Sequence, residues 1–94
     1  MLEHKETTGG IDAYRMTIDG EFRESVSGET IDVENPTTEE VVYTVPKGNA
    51  EDARLALETA QAAQPAWAAL PAVERGNALI RFAEKIRENR EHLA

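Results

Sequence analysis

Thr30-Ile31-Asp32-Val33-Glu34-Asn35-Pro36-Thr37-Thr38-Glu39-Glu40-Val41-Val42-Tyr43-Thr44-Val45-Pro46 is the stretch that decides how this chain folds. Thr30–Val33 predicts a short strand. It must stop near Asn35-Pro36, because proline biases the residue before it and donates no ladder hydrogen bond. Thr37–Glu40 reads as a polar turn. Val41–Val45, dominated by β-branched side chains, predicts a second strand that Pro46 terminates. Lys47-Gly48 is then the crossing point into sequence of a different character.

Upstream of this stretch the pattern is also that of strands. Tyr14 to Phe22 alternates, Asp19-Gly20 is a tight-turn signal, and the reading is a hairpin of Tyr14–Ile18 against Glu21–Ser25. Met16, Ile18 and Phe22 are expected on one face of it. Ser27-Gly28 predicts another turn. Residues 1–13 are polar and without periodicity, and read as a flexible arm.

Downstream the period becomes helical. Asn49 is a good N-cap, and Glu51 and Asp52 lie in the first turn, where the helix dipole favours negative charge. Ala53, Ala56, Leu57, Ala60 and Ala63 recur at spacings of three and four and predict a narrow buried stripe. Pro65 should end or kink this helix near Gln64. Trp67 is expected as a core plug beside Leu70. After Pro71 a last helix runs from about Ala72 to the end, with Leu79, Phe82, Ala83, Ile86 and Leu93 on one face and Ile80 on its flank. Arg87 and Glu91 are spaced as an ion pair on its surface. Its end lacks Gly, Asn or Pro after the last stripe residue and reads as cut rather than completed.

The composition restricts what such a chain can do. It has 94 residues, a net charge of −8 and no cysteine. One small domain fits, burying about 60–65% of its unfolded surface. Alanine supplies 14 residues, while Leu, Ile, Val and Phe total 19, so a fold made by this chain alone is expected to be marginal. From residue 1 to 46 there are 3 basic and 11 acidic residues, whereas residues 47–94 hold 7 of each. That imbalance argues against a nucleic-acid footprint and reads as a solvated acidic face. No cysteine means no thiol nucleophile, no thiolate metal site and no disulfide. No stretch approaches a membrane span and the start lacks signal-peptide regions, so a cytoplasmic location is expected.

No catalytic set is visible. His4 and His92 have no second histidine at ligand spacing and read as ordinary exposed side chains. Glu39 and Glu40 are adjacent, so as a carboxylate pair they would point apart. Neither a G-x-G-x-x-G nor a Walker loop occurs, and Gly9-Gly10 is too weak a signal for a phosphate cradle.

The order of the motifs is more specific than any one of them. Thr17-Ile18-Asp19-Gly20-Glu21-Phe22 precedes Ser27-Gly28-Glu29-Thr30, then Val33-Glu34-Asn35-Pro36-Thr37-Thr38-Glu39-Glu40-Val41 and Val45-Pro46. Asn49-Ala50-Glu51-Asp52-Ala53, Ala60-Gln61-Ala62-Ala63-Gln64-Pro65-Ala66-Trp67 and Leu70-Pro71-Ala72-Val73-Glu74-Arg75 follow. This series resembles the N-terminal portion of the NAD(P)-dependent aldehyde dehydrogenase superfamily, from about Tyr14 to Ala94. One departure is Glu39, where the family usually has glycine, and it predicts a slightly different turn.

The resemblance implies an α+β piece of an α/β protein. It would be a small antiparallel sheet of three to four short strands followed by two helices, the start of an incomplete cofactor-binding domain over residues 14–94. It implies oxidation of an aldehyde to a carboxylic acid with NAD or NADP in the complete protein. The family's catalytic cysteine, general-base glutamate and cofactor loop lie later in a longer chain. No catalytic or cofactor-binding residue and no bound cofactor is therefore expected in this segment. Some members hold a monovalent cation through main-chain carbonyls, and the matching positions are Val33 and Glu34. The expected partners are the remainder of such a chain and homo-oligomer subunits, with neither nucleic acid nor membrane. The alternative is a free-standing acidic interaction module that docks on intact subunits.

Overall fold

A computed structural model describes residues 4–94. Two compact units make up the chain, one reaching as far as Gln61 and one from Ala62 to Ala94. The elements run β1 (Lys5–Thr8), β2 (Ile11–Tyr14), β3 (Met16–Ile18), β4 (Glu21–Arg23), β5 (Thr30–Glu34), β6 (Val41–Pro46), α1 (Ala50–Ala69), α2 (Ala72–Glu88) and α3 (Arg90–Leu93). Strands thus precede helices, as the pattern predicts.

The decisive stretch forms an antiparallel pair, with Ile31 opposite Val45 and Val33 opposite Tyr43. Between Val33 and Glu34 the register shifts, because Glu34 pairs with Val41 and leaves Val42 as the extra residue of a bulge. Inside the connecting turn, Asn35 Oδ1 accepts the Thr37 amide at 2.9 Å and the Asn35 carbonyl accepts the Glu39 amide at 2.7 Å. Glu39 itself takes φ +60°, the left-handed conformation a glycine adopts without strain.

β3 and β4 pair across Asp19-Gly20, whose φ values of +57° and +71° are those of a tight hairpin turn. That two-residue turn sets Ile18 opposite Glu21 and Thr17 opposite Phe22. Phe22 therefore shares a face with Thr17, not with Met16 and Ile18 as expected, since paired residues point to the same side of an antiparallel ladder.

Of the segment expected as a flexible arm, residues 1–3 lie outside the described residues, and the remainder carries β1 and the start of β2. Gly9-Gly10, with φ +60° and +81°, turns β1 onto β2, with Thr8 opposite Ile11. β2 then pairs in parallel with β6 through Asp12–Tyr43 and Ala13–Thr44. The larger sheet is accordingly mixed, in the order β1-β2-β6-β5, beside the two-stranded β3-β4 sheet. The missed signal is the Gly-Gly pair between Thr8 and Ile11, which marks a hairpin even where periodicity is absent.

The helices also depart from expectation. α1 runs through Pro65 to Ala69 rather than ending near Gln64; the ring leaves the Gln61 carbonyl without its helical donor, but the turns on either side continue. Its alanine stripe faces outward, and the side turned inward carries Asp52, Leu55 and Thr59. α2 starts at Ala72 as predicted but stops at Glu88. Asn89 takes φ −107° and ψ 16°, and its side-chain amide donates to the Lys85 carbonyl at 2.8 Å, so Leu93 belongs to a separate short helix. The ion pairs formed there are Lys85–Glu88 and Arg90–Glu91 rather than Arg87–Glu91.

No apolar residue among those described is buried; Ser25 and Asp52 are the buried pair. Leu79, Ile80, Phe82, Ile86 and Leu93 are all exposed, Phe82 by 64%. Trp67, expected as a core plug, is 42% exposed.

Candidate functional site

The most constrained polar site is built on Asp52. Asn49 caps α1 by accepting the Asp52 amide on its Oδ1 at 3.0 Å, while Asp52 Oδ2 accepts the Asn49 amide at 3.0 Å. This reciprocal pair is a capping box in which aspartate replaces the usual glutamate. The same carboxylate reaches the β4–β5 loop, accepting the Ser25 hydroxyl on Oδ2 at 2.6 Å and the Val26 amide on Oδ1 at 2.9 Å. These hydrogen bonds, Ser25 foremost and then the Asn49 and Val26 amides, hold the Asp52 carboxyl below the usual carboxylate range, with Arg23 adding a favourable field. Burial opposes the shift and is outweighed. The Ser25–Gly28 turn, closed by the Gly28 amide on the Ser25 carbonyl at 2.9 Å, presents the loop to the helix.

Sequence reading places Asp52 in a helical first turn but not at a joint. Its Asn49-x-x-Asp52 spacing is the legible part; the partner Ser25 lies 27 residues away and leaves no local signal. Asp52 is also the physical reason for the outward alanine stripe. Once its carboxylate is anchored on Ser25 and Val26, residues three and seven positions later share its inward side, and these are Leu55 and Thr59.

A second polar cluster lies on the β1–β2 hairpin. Asp12 Oδ1 accepts the Thr7 hydroxyl at 2.5 Å, and Oδ2 pairs with Lys5 Nζ at 2.9 Å. Both lower the Asp12 carboxyl, and Asp12 in turn raises Lys5. Lys5 Nζ also lies 5.7 Å from the centre of the Tyr14 ring.

None of this amounts to a catalytic constellation. No group of three or more His, Asp or Glu among the described residues is placed to hold a metal ion. His4 is exposed, its ring 6.4 Å from Tyr14 and 5.9 Å from Phe22, and His92 is exposed on α3. Val33 and Glu34 sit on β5 at the register shift, Val33 half-buried and Glu34 exposed. A cavity of about 60 Å³ lies among Tyr14, Arg15, Ser25 and Glu29. Within the second unit, Trp67, Leu70, Glu74 and Arg81 border an open groove of about 380 Å³. No helix among the described residues is long and apolar enough to cross a membrane.

Residues 22–94 match the aldehyde dehydrogenase family, and the chain belongs to that family. It is 46% identical over 81 residues to lactaldehyde dehydrogenase from Escherichia coli, covering 86% of this chain and 17% of that protein. It is 47% identical over 77 residues to glutarate-semialdehyde dehydrogenase from Pseudomonas putida, covering 82% and 16%. Against 3,6-anhydro-alpha-L-galactose dehydrogenase from a Vibrio species the identity is 42% over 81 residues, covering 86% and 17%. The chain spans about one sixth of the length of these relatives.

Family members generally use NAD(P), but the first turn of α1 does not fit such a cofactor. The Asp52 amide is taken by Asn49 Oδ1 and the Asn49 amide by the Asp52 carboxylate, and that carboxylate and Glu51 put negative charge where a pyrophosphate would need donors.

Proposed function

We propose that this chain is the N-terminal scaffold segment of an NAD(P)-dependent aldehyde dehydrogenase. The complete protein would oxidise an aldehyde to a carboxylic acid, and this segment alone would be inactive. The observation that carries the reading is the family match over residues 22–94 in a chain covering 16–17% of its relatives. The absence of cysteine supports it, because this segment has no thiolate to add to an aldehyde carbonyl. Residues 14–94 would belong to the cofactor-binding domain, with the strands and α1 as its outer layer. Val33 and Glu34 would lend main-chain carbonyls to a monovalent cation whose other ligands come from elsewhere in the protein. The interrupted ladder at that position supports this, since a bulge disturbs regular carbonyl pairing. We place the assembled enzyme in the cytoplasm, as a homo-oligomer.

The alternative, an acidic module docking on intact subunits, draws on the exposed α2 face of Leu79, Phe82 and Ile86. Two measurements separate and test these readings. Aldehyde-dependent reduction of NAD or NADP by the purified chain should be absent, and turnover by the chain alone would refute the scaffold assignment. Stoichiometric binding of the chain to a purified, intact lactaldehyde dehydrogenase would favour the module; no binding would favour the segment.

A further inference from the structure

The β1–β2 hairpin lies ahead of Phe22, where the family match begins, yet it completes the larger sheet. Without it, β6 would be an edge strand. Its sequence, Val41-Val42-Tyr43-Thr44-Val45-Pro46, is the most strand-prone in the chain, and an open edge of this kind recruits other strands. The hairpin covers that edge through a short contact. Only Asp12–Tyr43 and Ala13–Thr44 are in ladder register, supplemented by an edge-to-face contact of Tyr14 and Tyr43 with ring centres 5.5 Å apart.

The outer strand of the hairpin is a poor template for further addition. β1 carries Lys5 and Glu6, each engaged in an ion pair, to Asp12 at 2.9 Å and to Arg15 at 3.1 Å. Charge on an edge strand discourages pairing with another chain. The hairpin thus replaces a β-prone edge with a charged one.

We propose that residues 5–14 are a removable strap that fills, within the chain, a strand-addition site on β6. When the strap lifts, the occupant of that edge is the same hairpin from a second copy. The register is met equally well in trans, and two ladder pairs are few enough to exchange. Self-association of the chain is then controlled by the strap rather than by the apolar face of α2.

The test uses a labelled peptide of residues 4–15 and two full-length variants. Ala13→Pro removes a ladder position outright, and the milder Asp12→Ala with Tyr14→Ala loosens the strap. An intact strap competes at an effective concentration on the order of 1 mM, so the peptide should bind wild type about tenfold or more weakly than either variant. Bound peptide should restore amide protection at Tyr43 and Thr44 in the variants, and excess peptide should disperse the concentration-dependent association of the wild-type chain in sedimentation, an association that the variants, whose own hairpins are damaged, should lack. Equal binding to wild type and variants would overturn the proposal. So would no binding to variants whose Ile31 and Val45 amides stay protected. Loss of β5–β6 protection in both variants would also overturn it, because the hairpin would then be integral to the sheet rather than a strap upon it.

Discussion

Replacing Glu39 by glycine should stabilise the β5–β6 turn, by an amount that follows from one dihedral angle. Glu39 holds φ +60°, and an L-residue in that conformation costs about 1–2 kcal/mol relative to the right-handed region. Glycine removes this cost but brings a larger loss of backbone freedom on folding, worth about 0.5–1 kcal/mol. The net gain is about 0.5–1 kcal/mol, or about a two- to fivefold shift in the local opening equilibrium. The Asn35 amide, which donates to the Glu40 carbonyl at 2.9 Å across this turn, is the reporter. Its intrinsic exchange rate depends on Glu34 and Asn35, both untouched, so a two- to fivefold slower hydrogen exchange in Glu39→Gly measures stability directly. Glu39→Gln is the control, removing the charge beside Glu40 while keeping the side-chain carbon that makes positive φ costly. Equal protection in the two variants would show that charge relief, not backbone conformation, governs the turn. Faster exchange in Glu39→Gly would refute the reasoning altogether.

Further outcomes follow from the joint, the helix interior and the exposed face. Asp52 titrates below its ordinary value in the folded chain, so its stabilisation is present at neutral pH and fades only as pH falls below about 4, through the folded value. Asp52→Asn should abolish that acid-limb dependence and speed amide exchange at Val26 and Asn49 together, measured by NMR across pH 2–7 (about that range suffices). Pro65→Ala should restore the donor for the Gln61 carbonyl and stabilise α1 by up to about 3 kcal/mol, seen as a higher melting temperature of the helical circular-dichroism signal. Phe82→Ser should change the stability of the isolated chain by no more than about 0.5 kcal/mol in urea titration, because the ring is 64% exposed. A loss of several kcal/mol would mean that this face is covered within the chain.

Local rules made the β3–β4 and β5–β6 pairs legible. Asp19-Gly20 demanded a two-residue turn, Asn35-Pro36 closed one strand, and Pro46 closed the next. Asn49 and Pro71 marked helix starts for reasons equally local. What stayed illegible depends on residues distant in sequence. The parallel pairing of Ala13 with Thr44 and the Ser25–Asp52 bond join positions that no window of the sequence contains together. The inward face of α1 was misread for the same reason, since small residues at helical spacing point inward only if a neighbour is there to receive them. Asp52 turned the helix instead. The cation role proposed for Val33 and Glu34 carries no side-chain signature, because main-chain carbonyls are common to every residue.

The distribution of burial bears on what the chain is for. In an ordinary small domain the apolar residues are inside and the polar ones earn their burial by pairing; here both buried residues are polar and no apolar one is enclosed among those described. Leu79, Phe82 and Ile86 lie on one face of α2, and since each is already partly covered it would gain about 1–2 kcal/mol if fully buried. Three such side chains amount to on the order of 3–5 kcal/mol of unrealised burial, a sizeable fraction of the whole stability of a small protein. A stripe of this kind at helical spacing is what the proposed segment of a larger protein would carry. The polar fasteners at Asp52 and Asp12 fit the same account. They fix the geometry of a turn, a cap and a hairpin by local polar bonds that need no apolar core.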